Sequence, residues 1–186
     1  MDKIFKIVKD TAKSIREKSV EVNPITPEVI ELANQMTEYL KRTQDETFRE
    51  KHHLREGVGL AAPQIGKNIK VIVVYYEAQN EDGTIKVVDH RLINPRIISE
   101  SVKQVYLSGG EGCLSVDGEH EGYVYRSYKI LVKAFDAKSQ KEVVVTARGY
   151  EAIVLQHEID HLNGILFYDR IDKSNPFKQI EGAERL

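Results

Sequence analysis

The sequence predicts an α+β fold in which antiparallel β-sheets pack around one central α-helix. Three observations predict it. Between residues 69 and 148 stand five β-branched and aromatic runs, separated by Gly, Asn-Pro or Asp-Ala and by connections too short for crossover helices, so most pairs must be antiparallel. After Arg148-Gly149 comes one strongly helical stretch, YEAIVLQHEIDHLN. The length, 186 residues, corresponds to a single domain, 1–186, against about 100 to 200 residues per domain.

The first 23 residues mix charges around the apolar patch Ile4, Phe5, Ile7 and Val8, and read as an arm packed on the domain. At Asn23-Pro24-Ile25-Thr26-Pro27 the chain turns, with Thr26 as N-cap and Pro27 at the first helical position. The helix that follows buries Val29, Leu32, Ala33, Met36, Tyr39 and Leu40 on one face and fades at Lys41. Segment 41–56 is polar and of mixed charge, an exposed loop or a helical extension with no assigned function. The strands are then KVIVVYY, KVVDHRLIN, QVYL, YKILVKAF and EVVVTAR. The final helix is stopped by Gly164 at the position of a C-terminal cap.

Composition excludes several function classes. With 27 basic and 29 acidic side chains the net charge is −2, which offers no general positive field for nucleic acid. Hydrophobic residues at 41% and charged ones at 30% are those of an ordinary globular chain that folds unaided. No apolar run approaches the roughly 18 residues of a membrane span, and MDKIFKIVKD lacks the features of a secretory signal. A single cysteine, Cys113, forbids an intramolecular disulfide and points to a reducing, cytoplasmic setting.

Chemistry is concentrated in His157-Glu158-Ile159-Asp160-His161. On a helix, residues four apart share a face with Cβ atoms about 5 to 6 Å apart, so the two imidazoles can share one metal ion while Glu158 reaches a water on it. Two histidines can also fall four apart by chance, so context decides. The metzincin continuation would need His where Phe167 stands. A gluzincin would need a downstream Glu on a second helix, yet only Glu181 and Glu184 remain. A third ligand must come from upstream, from Cys113 or from His52, His53, His90 or His120. Cys113 lies in Glu111-Gly112-Cys113-Leu114-Ser115 after Gly109-Gly110, where glycines let the backbone approach a metal; alone, it would more often be a small buried hydrophobe.

A third stretch is Gly57-Val58-Gly59-Leu60-Ala61-Ala62-Pro63-Gln64-Ile65-Gly66. It superficially matches a dinucleotide fingerprint, but no strand precedes it and Pro63 would interrupt the required helix. A buried turn is the alternative. Together, G-V-G-L-A-A-P-Q, E-G-C-L-S and H-E-I-D-H, in this order across residues 57–168, resemble the peptide deformylases. The resemblance implies one catalytic domain with Cys113, His157 and His161 as metal ligands and Glu158 as acid/base. It also implies Gln64 and the Leu114 N–H as oxyanion donors, and makes the final helix the metal-binding one.

By the same resemblance, the substrate is the N-formyl group on the initiator methionine of new polypeptides, hydrolysed to formate and a free amine. Tyr150, Ile153 and Val154 precede His157 on its helix face and are expected to wall the methionine pocket, a role that competes with plain core packing. Val58 and Gly59 are expected to offer main-chain groups to the peptide as an added strand, with Gly112 beside them. Ligand type alone suggests zinc, whereas the family generally works with one iron(II) ion per chain and tolerates nickel or cobalt. The long first half and polar end resemble the subclass of Gram-positive bacteria and mycoplasmas, so transient ribosome association is not expected to use a C-terminal helix. Two other classes are weighed: a general H-E-x-x-H metallopeptidase, which would not need the E-G-C-L-S thiolate, and a metal-stabilised binding module, which would need a fourth protein ligand.

Overall fold

The computed structural model describes residues 4–80 and 82–186. Its main sheet has five strands in the order β1-β2-β3-β6-β7, all antiparallel. These are β1 (Gly59–Ala61), β2 (Val71–Gln79), β3 (Ile85–Glu100), β6 (Lys129–Asp136) and β7 (Lys141–Arg148). A smaller sheet contains β4 (Gln104–Tyr106), β5 (Arg126–Ser127) and β8 (Glu184–Arg185), with β4 and β8 parallel.

Strand β2 explains the layering. Val71, Ile72, Val73 and Val74 are all fully buried, because alternate side chains point to opposite faces and both faces are covered. Val71 and Val73 pack with Leu32, Ala33, Met36 and Leu40 of helix α1 (Pro27–Gln44). Ile72 and Val74 pack with Ala152, Val154, Leu155 and Ile159 of helix α3 (Tyr150–Leu162). Helix α3 lies between the sheets: on its other side, Gln156 exchanges hydrogen bonds with the Ser127 backbone of β5 (3.0 and 2.9 Å). Every residue from Ala152 to Leu162 is therefore buried, and the expected α+β class with a central helix is what forms.

Thr26 and Pro27 open α1 as expected. The helix continues past Lys41 to Gln44 and is followed by the short α2 (Glu46–Lys51), capped by the Asp45 side chain on Phe48 N–H at 2.9 Å. Asn94-Pro95 does not end a strand. The β3 chain runs through it with a register shift, Asn94 sitting at φ 53° with its amide bonded to both backbone groups of Val22; an extra unpaired residue bends the strand rather than stopping it. The arm packs as anticipated over its described part: Ile15 is fully buried, Val20 bridges Ile69, and Ser19 N–H donates to Leu162 C=O at 2.8 Å. Met1 to Lys3 lie outside the described residues.

Candidate metal centre and substrate cleft

Helix α3 carries His157 and His161 on one turn, their rings 5.0 Å apart. The loop after β4 brings Cys113 against them, with Sγ 3.3 Å from His161 Nε2. One donor atom from each of the three lies within 4.8 Å of the others. His52 packs on Phe48, His90 pairs with Glu151, and His120 stacks on Tyr168; these histidines stay apart from the cluster, as does Glu184, which pairs with Lys103.

His157 is oriented by a buried chain of charges. Its Nδ1 lies 2.8 Å from Glu111 Oε2, which leaves Nε2 for the side of Cys113. Glu111 is gripped through both oxygens by Arg126 (2.5 and 2.8 Å). Arg126 also donates to Asp160 at 2.9 Å, and Asp160 accepts two bonds from Arg170. Burial raises the Glu111 carboxyl, but the bonds from Arg126 and His157 outweigh it and hold the group at about 2. Sequence reasoning missed Arg126, Asp160 and Arg170. A usable signal was the acid beside Cys113 and the acid inside the histidine pair, two buried negative charges that require a cation.

Glu158 is 4% exposed; burial pushes its carboxyl up to about 7, against the pull of His157 and Arg126. Among the described residues its buried Oε2 finds no hydrogen-bond partner, and neither does His161 Nδ1. His161 is held well below its ordinary value by burial and by neighbouring His157, so its imidazole is neutral, the form that binds metal. A soft thiol, two imidazoles and an unpartnered carboxylate beside them fit a transition-metal ion with an open position.

Gln64 is held by one end of its amide and presents the other to the cluster. Its Oε1 accepts from Ala61 N–H at 2.8 Å, and this aims Nε2 at Ser115 Oγ (3.2 Å) and Cys113 Sγ (3.5 Å). A cleft of about 330 Å³ opens over the cluster. It is lined by Val58, Gly59, Gln64, Gly112, Cys113, Leu114, Tyr150, Ile153, Val154, His157 and Glu158, with His161 behind them at 1% exposure. Arg55, Glu56, Gly57, Leu107 and Glu111 also line it and were not anticipated. Val154 belongs to the main core as well as to the cleft, whereas Ile153 serves the cleft.

The glycine-punctuated stretch, for which a buried turn was the alternative, is in part a strand, β1, at the edge of the main sheet. The Val58 carbonyl already accepts from Tyr75 N–H at 2.9 Å. Since bonded and non-bonded pairs alternate, Gly59, opposite Val74, turns its N–H and C=O to the open edge. The lack of bulk at Gly59 serves Glu158 first: a Cβ there would stand 2.2 Å from Glu158 Oε1. Segment 41–56 gains a purpose too, because Gln44 Nε2 donates to Gly57 C=O and Tyr75 C=O (2.9 and 2.7 Å) and Thr43 Oγ1 accepts from Gly57 N–H.

The polypeptide deformylase family model matches residues 4–177. The chain belongs to the polypeptide deformylase family. It is 46% identical to peptide deformylase 2 of Bacillus subtilis over 95% of this chain and 94% of that one. With the peptide deformylase of Oceanobacillus iheyensis it shares 47% identity over 88% and 86% of the two chains. The crystal structure of Ehrlichia chaffeensis peptide deformylase superposes with a TM-score of 0.76 at 31% identity, covering 94% of this chain and 91% of that one; the same enzyme is solved in complex with actinonin. A deformylase is a metal-dependent hydrolase of formyl amides, and this chain is such an enzyme.

Proposed function

We propose that residues 1–186 work as one catalytic domain that removes the formyl group from the initiator methionine of new polypeptides in the cytoplasm. The observation that carries the reading is the buried Glu158 carboxylate, with one oxygen unpartnered, set beside Cys113, His157 and His161 in the cleft. These three would hold one iron(II) ion, with nickel, cobalt or zinc able to substitute. When bound, such an ion supplies a water acidified to about pKa 7.

Glu158 takes the proton from the attacking water and returns one to the departing amine, a task suited to a carboxyl raised to about 7. The negative charge that develops on the formyl oxygen meets Gln64 Nε2 and the Leu114 N–H. The peptide lies along the open edge at Gly59, and the methionine side chain enters the cleft among Tyr150, Ile153, Val154 and Gly112, which Leu107 also lines. No helix among the described residues is long and apolar enough to cross a membrane. Association with the ribosome is proposed as transient.

The test is formate release from a formyl-methionyl peptide, compared with the same peptide bearing a free amine. Formate from the first and no cleavage of the second is expected. Cleavage of interior peptide bonds without formate would instead establish a general metallopeptidase. For the metal, iron-loaded protein should lose activity in air faster than nickel-loaded protein, because iron(II) held beside the Cys113 sulfur at the floor of the cleft is open to oxidation. Equal decay of both forms would rule out oxidation of the metal as the cause.

A further inference from the structure

Three consecutive residues of the N-terminal arm reach the two segments that carry the oxyanion donors. Val8 N–H donates to Gln64 C=O at 2.8 Å, Lys9 Nζ to Leu114 C=O at 3.2 Å, and Asp10 N–H to Ser115 C=O at 2.9 Å. Those segments also meet each other through Gln64 Nε2 and Ser115 Oγ. The loop from Cys113 to Asp117 has no helical or strand ladder to hold it. Its carbonyls are tied instead by the arm and by Arg55, which donates to Val116 C=O at 2.8 Å. Lys9 also pairs with Asp117 at 2.7 Å; a pair so exposed adds little stability by itself, but it fixes where the ammonium sits.

We propose that Lys9 is a positioning residue of the oxyanion site, with Val8 and Asp10 completing a clasp that sets the two donors against each other. A donor stabilises an oxyanion only when its N–H points to where charge develops, at 2.7–3.1 Å. The direction of the Leu114 N–H depends on the peptide planes on either side of that residue. Lys9 restrains the plane that follows it, Asp10 restrains the next, and Val8 restrains the backbone of Gln64. Both donors are thus referenced to a single short stretch of chain, Val8 to Asp10. This inference rests on Gln64 and Leu114 being the donors, and the experiment separates the two claims.

The variants are Lys9→Met, which keeps the aliphatic stem without the ammonium, Lys9→Arg, which keeps a cation, and Gln64→Ala, with Lys6→Met on the exposed part of the arm as control. Lys9→Met should lower kcat by about 5- to 50-fold, less than the 10² to 10³ that losing a donor costs, with KM within about twofold and bound metal and Tm near those of the parent. Lys9→Arg should keep at least about half of kcat, Lys6→Met all of it, and the Lys9→Met loss should shrink in a Gln64→Ala background, as for coupled sites. Unchanged kcat in Lys9→Met, alongside a collapse in Gln64→Ala, would overturn the clasp and leave the donors standing. Unchanged kcat in Gln64→Ala would overturn the donor assignment and the clasp with it. A kcat loss that merely tracked lost metal or lowered Tm, or that arginine failed to recover, would also overturn the clasp.

Discussion

Helix α3 and the loop from Leu107 to Asp117 deliver side chains to the same point, but they are held there by different means. On α3 the spacing of His157, Glu158 and His161 is set by the helix itself, and burial on every side from Ala152 to Leu162 leaves the helix no room to shift. The loop has no such internal ruler. Cys113, Gly112 and Leu114 are placed by bonds from elsewhere: Arg126 on Glu111, Lys9 on Leu114, Arg55 on Val116, and Leu186 C=O accepting from Ser108 N–H at 2.9 Å. Half of the site is therefore built by local structure and half by long-range polar tethers, and substitutions in the two halves should fail differently.

The largest effect should come from the helix half without touching its architecture. Glu158→Ala is expected to cut activity by at least about 10² to 10⁴ while the metal stays bound; stoichiometric loss of metal would make Glu158 a ligand and end the proposed acid/base role. Gln64→Ala should lower turnover by about 10² to 10³. Because Gln64 is 1% exposed and bonded to Ala61 N–H and Ser115, it should also cost about 1 to 3 kcal/mol of stability from the groups left unpaired. A large fall in Tm with unchanged turnover would reduce it to a structural bonder.

Arg126→Met probes the tether between the halves. It leaves Glu111 and Asp160 without a shared cation, and stability should drop by about 3 to 5 kcal/mol. Metal affinity should weaken by about 10- to 100-fold as His157 loses its orientation, read by competition with a chelator. Wild-type affinity in this variant would show that α3 alone holds the metal. The smallest effect belongs to Gly112→Ala, where an added Cβ meets nothing within 4 Å: urea titration should give stability within about 1 kcal/mol of the parent, so that a raised KM would report substrate contact alone.

The same division explains what could be read from the sequence. The helical stretch ahead of Gly164 disclosed α3, and four-residue spacing disclosed its ligand pair, because both are local properties of the chain; an apolar period disclosed only α1, since α3 is buried from Ala152 to Leu162. The long strands were legible because β-branched runs bury on one or both faces. Strand β1 was not, since Gly-Leu-Ala has no strand propensity and pairs only because β2 offers an edge; β8 is Glu-Arg, and β5 begins with the buried Arg126. Helix α1 outran its apolar face to Gln44 because Thr43 and Gln44 find partners in Gly57 and Tyr75. Glu111 was seen as part of a motif, but its bond to Arg126 depends on tertiary placement that no local pattern encodes.

Gly164 is where the arm closes over the end of α3. With φ at 70°, it lies so near the chain that a Cβ would stand 2.1 Å from Arg16 C=O, and Arg16 and Gly164 are 148 positions apart. During synthesis at about 5 to 20 residues per second, the arm would leave the ribosome on the order of 7 to 30 seconds before the segment it must embrace. Until then Ser19 lacks the Leu162 carbonyl to which it donates, and the cysteine loop has no helix to face. Contacts of such long separation form late and slowly. An enzyme that trims the beginnings of other chains thus completes its own reactive centre only after its metal-binding helix, Tyr150–Leu162, has been made.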